Sequence, residues 1–310
     1  MVEVLGAAGV ILVLIGLGYF ARRQGLLRPG DERVLNAVVY YFALPALLLL
    51  ELAQAAYTGD TLRFLAAGGF PLLLLLVLGL ALLRLAGLPR EVFYRLSVSS
   101  VFGSLAFFGI PFVEYGVGGA EAVRLAALAV GLLGPFGVGF VLTLLELHGN
   151  RGQPLPRALA RTLGRLARNP LIGAILMGLT LGLIGVRLPR FFAQVLRYLG
   201  SATAPLALLA LGAFLYGRPR RALGSALGLS LLRLAVLPAL TLLFARLLGL
   251  PPLETTVLVL MNGTPLAVNM LVLSQRYGFY VEEMASLTLV SSLGALVSLS
   301  LWRFVLGARL

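Results

Sequence analysis

The most informative segment of the chain is Met261-Asn262-Gly263-Thr264-Pro265-Leu266-Ala267-Val268-Asn269-Met270, which places two asparagines, a glycine and a proline inside an apolar segment. Proline has no N–H group and its ring clashes with the preceding turn, so we expect the helix to break at Pro265. Backbone released from helical hydrogen bonds is tolerated at membrane depth where it is buried in protein or lines a watery cavity. Secondary transporters bind their substrates at such interrupted helices. The stretch therefore predicts a substrate site.

The composition is that of a membrane protein. Hydrophobic residues make up 60% of the 310-residue chain, charged residues make up 12%, and the mean hydropathy is +1.00. Soluble domains are about 45–50% apolar and about 25% charged. We therefore expect several membrane-spanning helices, with the lipid bilayer as the main surroundings of the chain.

The inventory of reactive side chains excludes several kinds of function. All 25 basic residues are arginine, so the lysine of an ATP-binding phosphate loop is missing. The chain has no cysteine and a single histidine, which leaves no set of soft metal ligands. The net charge of +13 comes from arginines between apolar runs, a pattern typical of topology signals rather than of a nucleic-acid-binding face. We expect no enzyme activity, no cofactor and no nucleic-acid partner.

Ten apolar runs are long enough to cross a bilayer, and they predict ten transmembrane helices. If the runs alternate across the membrane, 16 arginines fall on one side and 8 on the other. Because cytoplasmic loops are enriched in arginine, both termini are predicted on the non-cytoplasmic side of the cell (inner or plasma) membrane. The runs are 3–21, 33–52, 62–86, 92–118, 121–147, 169–186, 191–215, 222–248, 252–275 and 283–306.

The longest polar interval, residues 148–168, divides the chain into a first half, 1–147, and a second half, 169–310, with five runs each. Because five is odd, the second half must be inverted relative to the first. Matching features of the halves are the segments 84–91 and 246–254, and the proline pairs Pro45 with Pro205 and Pro111 with Pro265. We predict an all-α polytopic fold, a 5+5 inverted repeat with a cytoplasmic linker at 148–168.

The fourth run is like the ninth, since it combines glycines and hydroxyl side chains with Pro111. We expect helices 4 and 9 to break at Pro111 and Pro265 and to cross, so that two half-helix N-termini meet near the bilayer centre. Such ends carry unpaired N–H groups and partial positive charge, which suit a carboxylate or another anion. The expected site residues are Ser104, Pro111, Asn262, Thr264, Pro265 and Asn269. The alternative is structural: proline kinks packed against glycine, with the asparagines capping the broken ends.

Two charged residues within the predicted spans are candidates for coupling transport to protons or to a cation such as sodium. Glu114 lies just past Pro111, where it could line an outer vestibule, and Arg233 lies well inside the eighth run, where it could attract an anion or pair with a buried carboxylate. Charged groups inside a membrane are expensive and tend to be functional. The alternative for each is an interfacial position or a structural ion pair.

Four motifs resemble the auxin efflux carrier family. They are Ala43-Leu44-Pro45-Ala46, Phe107-x-Gly109-x-Pro111, Asn169-Pro170-Leu171-Ile172, and Thr264-Pro265-Leu-Ala-Val-Asn269-x5-Gln275-Arg276-Tyr277-Gly278. Ser104 is a departure, because family members often have asparagine before the fourth-helix crossing. The resemblance implies a ten-helix fold like that of bile-acid symporters, with crossing helices 4 and 9. It also implies elevator-like transport of organic anions, often small carboxylates, and a homodimer formed through the second and seventh spans.

The leading hypothesis is a secondary transporter of a small organic anion. One alternative is a sodium-coupled symporter of the bile-acid type, which needs a cation site built from oxygens of the crossing helices and from carboxylates. Another is a non-transporting receptor or a channel on the same scaffold. Saturation of the flux with substrate separates a carrier from a channel.

Overall fold

The computed structural model describes residues 2–55, 59–87, 89–149, 155–217, 223–267 and 269–307. Helices account for most of this part of the chain, and no strand runs through it. In order they are α1 (Val2–Arg23), α2 (Asp31–Gln54), α3 (Gly59–Leu85), α4 (Arg90–Val101), α5 (Leu105–Gly116), α6 (Ala120–Gly149), α7 (Leu155–Ala167), α8 (Pro170–Leu183), α9 (Arg190–Leu215), α10 (Gly224–Leu247), α11 (Pro252–Asn262), α12 (Asn269–Tyr277) and α13 (Val281–Gly307).

Six helices of the described part of the chain are long and apolar enough to cross a membrane: α2, α3, α6, α9, α10 and α13. Two shorter helices, α5 and α8, are also apolar. Helices satisfy their own backbone hydrogen bonds, which is why apolar segments in lipid adopt them. The prediction of an all-α polytopic membrane protein is therefore confirmed at this level. The count of ten spans and the 5+5 repeat stay predictions.

Three helices contain a wide π turn, and each π turn is followed by a proline two residues later. The π turns are Val39–Ala43 before Pro45, Leu105–Gly109 before Pro111, and Leu232–Val236 before Pro238. Proline lacks the N–H group and its ring clashes with the carbonyl four residues earlier. A π turn shifts the hydrogen bonding by one residue, which accommodates that ring without ending the helix.

The expected break at Pro111 is therefore wrong in position. Helix α5 runs through Pro111, and the fourth run leaves the helical conformation earlier, at residues 102–104. Pro265, in contrast, lies in the non-helical segment 263–267 after α11. The helix continues through Pro111 because the preceding π turn accommodates the proline ring, whereas no π turn precedes Pro265.

Helices α1 and α9 pack so closely that their backbones are in contact, and glycines occupy the contact points. A Cβ atom on Gly18 would overlap the carbonyl oxygen of Leu209, and one on Gly212 would overlap that of Ile15. Small residues at helix contacts permit this close approach in membranes, where packing replaces the hydrophobic effect as the driving force. The pair of glycines therefore fixes α1 directly against α9.

The predicted linker contains a helix. Within residues 148–168, α6 continues to Gly149 and α7 occupies Leu155–Ala167, while residues 150–154 lie outside the described part of the chain. Its sequence, LPRALARTLGRLA, places leucines and arginines on opposite faces, as in a helix that lies at an interface. The division into two halves and a linker stays a prediction.

Candidate functional site

Two non-helical segments meet in the interior, residues 102–104 between α4 and α5 and residues 263–267 between α11 and α12. We call this meeting point the crossing. An isolated antiparallel bridge joins Gly103 to Leu266. The Ser104 N–H donates to the Pro265 carbonyl at 2.8 Å, and the Ala267 N–H donates to the Phe102 carbonyl at 3.0 Å. Buried backbone groups outside helices need such partners, so each segment satisfies the other.

Four helix ends point towards the crossing, two of each polarity. Helices α4 and α11 end there with their carbonyl groups, and α5 and α12 begin there with their N–H groups. In α5 the first helical hydrogen bonds come from the N–H groups of Phe108 and Gly109, which both donate to the Ser104 carbonyl at 3.0 Å. The N–H groups of residues 105–107 precede these bonds and have no acceptor within the helix.

Arg233 occupies the carbonyl side of the crossing. Its side chain, on α10, is buried and only 2% exposed. Nη1 donates to the carbonyls of Ser99 (2.9 Å) and Ser100 (2.7 Å), in the last turn of α4. Nε donates to the Thr264 carbonyl just after α11, and Nη2 lies 3.5 Å from the Thr264 hydroxyl. Among the described residues, no carboxylate forms an ion pair with Arg233.

Gly103 makes room for this arginine. A Cβ atom at Gly103 would overlap Nη2 of Arg233 and would lie 2.9 Å from the Thr264 hydroxyl. A side chain at this position would therefore displace the guanidinium group from the carbonyls. The crossing requires glycine here because of the close approach, since its backbone angle is not in the left-handed region.

A cavity of about 570 Å³ borders the crossing, and Arg233 is not among the residues that line it. The N-terminal residues of α5, Leu105 to Phe107, line it together with Ser104, Pro265 and Asn269. Its walls are mainly apolar and come from α2, α6, α8 and α9. Small-molecule sites typically have this size and consist of apolar walls with a few placed polar groups.

The expected site residues divide into two groups. Ser104, Pro265 and Asn269 line the cavity. Pro111, Asn262 and Thr264 are buried elsewhere around the crossing and are absent from its lining.

Asn262 and Thr264 bind other parts of the protein. The Asn262 amide donates to the Gly68 carbonyl at 3.0 Å and to the Thr241 hydroxyl at 2.9 Å. The Thr264 hydroxyl donates to the Met261 carbonyl at 2.8 Å. These contacts connect α11 to α3 and α10 and hold the end of α11 in place.

The two candidate coupling residues lie in different surroundings. Glu114 is exposed near the end of α5 and is not among the residues that line the cavity. Arg233 is buried at the crossing, where it binds carbonyl oxygens rather than a carboxylate. The pairing of Arg233 with a buried carboxylate, which the sequence left open, is not found among the described residues.

Other polar residues of the cavity were not expected from the sequence. Helix α2 contributes Arg33, Asn36 and Tyr40, and α8 begins after Asn169, whose side chain accepts a hydrogen bond from the Leu171 N–H at 2.9 Å. Arg33, Asn36 and Tyr40 follow each other at intervals of three and four residues, which places them on one face of a helix. That spacing was a usable signal for a polar stripe in the second run.

These observations define the class: a polytopic helical membrane protein with a cavity beside two paired non-helical segments. A model of the membrane transport protein family matches residues 4–303. The chain belongs to this family, and the resemblance to the auxin efflux carriers is thereby confirmed.

Two archaeal relatives agree with this assignment. An uncharacterized transporter of Methanothermobacter thermautotrophicus is 29% identical over 305 residues, which cover 96% of each chain. An uncharacterized transporter of Methanocaldococcus jannaschii is 28% identical over 210 residues, which cover 66% of each chain. The protein is therefore a membrane transporter by family.

Proposed function

We propose that this transporter carries small organic carboxylates and binds them in the cavity beside the crossing. The observation that supports this most is the separation of helix ends. The carbonyls of Ser99, Ser100 and Thr264, at the ends of α4 and α11, bind Arg233 and do not line the cavity, whereas the N-terminal ends of α5 and α12 do line it. The cavity thus presents two positive helix ends to a ligand, while Arg233 offsets the negative end of α4, whose last residue, Val101, also lines the cavity.

The electrostatics favour an anion. A helix N-terminus carries about half a positive elementary charge, and its first N–H groups lack partners. Two such ends that border one cavity form a site for a carboxylate. Arg33 lines the same cavity and is exposed, so it adds positive charge that attracts anions. The Ser104 hydroxyl and the Asn269 amide can orient the carboxylate, and the apolar walls suit the organic part of the substrate.

The composition of the walls supports a proposal for the transport step. Besides the crossing and α6, the cavity is walled by α2, α8 and α9, which contribute apolar residues such as Leu48, Ile172 and Leu211. We propose that the crossing helices of a ten-span 5+5 repeat move past this apolar wall as an elevator and carry the site between the two faces of the membrane. In this proposal α2 and α9 belong to the stationary part and form the contact of a homodimer. Both termini are on the non-cytoplasmic side.

The test is thermal unfolding of the detergent-purified protein with matched pairs of ligands. Indole-3-acetate, malate and malonate are compared with neutral partners such as indole-3-acetamide. A ligand at about 100 times its dissociation constant stabilises the folded state by roughly 2.7 kcal/mol, which is visible as a higher melting temperature. We expect at least one carboxylate to raise the melting temperature while its amide does not. Equal shifts with acids and amides, or shifts with none of the acids, would contradict a carboxylate site.

Transport itself is then measured in vesicles with the carboxylate that binds. A carrier gives a flux that saturates as the substrate concentration rises, because each cycle moves one bound substrate. A flux that increases without saturation would favour the channel alternative, and binding without any flux would favour the receptor alternative.

A further inference from the structure

The carbonyl side of the crossing has the composition of a cation site. Four oxygen atoms converge there: the carbonyls of Ser99, Ser100 and Thr264, and the Thr264 hydroxyl. In transporters with interrupted helices, unwound carbonyls and half-helix C-terminal ends are the groups that coordinate coupling ions such as sodium. In this protein the same kind of oxygen set surrounds the guanidinium group of Arg233.

We infer that Arg233 is a built-in cation, which fills at the crossing the place that a coupling sodium ion would take. It holds the ends of α4 and α11 together, so the substrate site beside the crossing assembles without any added cation. Arg233 is thus a positioning residue. The inference rests on the proposed function only in placing the substrate in the cavity beside the crossing.

The two helix C-termini at the crossing offset the charge of Arg233. Each helix C-terminus carries about half a negative elementary charge, so two of them together offset about one positive charge. A buried charge in a membrane otherwise requires a counter-ion, and no carboxylate within the described residues pairs with this one. The oxygens that bind Arg233 therefore stabilise its buried charge as they would stabilise the charge of a free cation.

The shape of the arginine side chain explains why this residue can join the two ends. The guanidinium group is planar and has donors on several edges, so it can bind separate acceptors at the same time. Here Nη1 binds the last turn of α4 while Nε binds the segment after α11. The missing side chain of Gly103 leaves space for Nη2 between the two segments.

A tethered cation has a consequence for coupling. A sodium ion drives transport because it binds on one side of the membrane and leaves on the other. Arg233 is covalently part of α10 and cannot leave, and it fills the oxygen set that sodium would need. Because Arg233 occupies these oxygens, the crossing provides no sodium coupling. This argues against the sodium-coupled alternative.

The experiment measures melting temperatures without any substrate. Wild-type protein, Arg233→Ala and Arg233→Lys are each compared in sodium chloride, in choline chloride of equal ionic strength, and with millimolar methylguanidinium chloride added. We expect the wild type to melt at the same temperature in sodium and in choline. We expect Arg233→Ala to melt several degrees lower, with partial recovery in methylguanidinium or sodium but none in choline.

Three results would overturn the inference: a wild type that sodium stabilises over choline, an Arg233→Ala protein that melts like the wild type, or a folded Arg233→Ala protein that no small cation stabilises. If Arg233→Ala does not fold, Arg233→Gln replaces it. A Gln variant as stable as the Lys variant would then show that the charge is not needed, whereas a stable Lys variant and an unstable Gln variant support the inference. Because no carboxylate is present, these results do not depend on the proposed substrate.

Discussion

Asn262 and Asn269 lie seven positions apart and have different surroundings. Substitutions at the two positions should therefore separate an effect on substrate binding from an effect on stability. Asn269 begins α12 and lines the cavity. Asn262 ends α11 and is 2% exposed. Its side-chain amide donates to the Gly68 carbonyl and to the Thr241 hydroxyl. The same substitution at the two positions therefore has two different expected effects.

Replacing Asn269 by alanine should weaken carboxylate binding. The change removes one hydrogen bond to a charged ligand, which is worth about 1.5–3 kcal/mol, or a loss of affinity of roughly 10- to 150-fold. The stabilising shift that the carboxylate causes should disappear at concentrations that saturate the wild type, and uptake should fall with it. The variant should still be inserted in the membrane. Undiminished transport by Asn269→Ala would remove this residue from the site.

Replacing Asn262 by alanine should have the reverse effect. It leaves the Gly68 carbonyl and the Thr241 hydroxyl without this buried donor, which lowers the free energy of unfolding by about 1–3 kcal/mol. The dissociation constant for the carboxylate should change little, because Asn262 does not line the cavity. Thermal unfolding with and without ligand measures both quantities on one sample. A variant that is stable but no longer binds would place Asn262 in the site after all.

Glycine contacts between helices give a prediction at the element scale. A Cβ atom at Gly212 would overlap the Ile15 carbonyl and approach the Tyr19 nitrogen at 2.8 Å, so Gly212→Ala must push α9 away from α1. Forced repacking of this kind destabilises by about 1–3 kcal/mol. The matched control is Gly16→Ala, on α1, where an added Cβ atom meets nothing within 4 Å. The control should be neutral or up to about 1 kcal/mol more stable. Equal melting temperatures for the two variants would show that the helices are not packed this closely.

The elements also show which features a sequence can predict. Apolar runs located the long helices because hydropathy is a local property, and Pro265 marked a real interruption because proline cannot continue a regular helix. Pro111 misled because the preceding π turn lets α5 continue through it. The contact of Arg233 with Ser99 joins residues 134 positions apart, and no local pattern encodes such a partner.

At the scale of the whole molecule, the cavity depends on how distant helices assemble. Its walls combine α2, α6, α8 and α9 with the crossing, which is why the sequence predicted Ser104, Pro265 and Asn269 but not Asn36 or Tyr40. The predicted residues belong to the two interrupted runs, where proline and glycine are visible signals. Asn36 and Tyr40 lie within helix α2, where a row of polar side chains can be assigned to a site only once the helices packed against it are known.

The path of α4 and α5 decides between two topologies of the whole chain. Taken together they cross the membrane in the ten-span scheme, whereas the six long helices alone would leave both ends of this pair on one side. Ala86, after α3, and Ala120, at the start of α6, are exposed on either side of the pair. Since the chain contains no cysteine, Ala86→Cys and Ala120→Cys each introduce a single thiol without any other change.

We expect the two cysteines to react on opposite sides of the membrane. The arginines near Ala86, at positions 84 and 90, place it in the cytoplasm by the positive-inside rule. In intact cells a membrane-impermeant maleimide should therefore label Ala120→Cys and leave Ala86→Cys unlabelled until the membrane is permeabilised. The reverse pattern would keep the span but invert the orientation of the protein. Labelling of both cysteines from one side would mean that α4 and α5 enter and leave the membrane through the same face. The crossing would then belong to a re-entrant hairpin, and an elevator that carries the crossing through the membrane would be excluded.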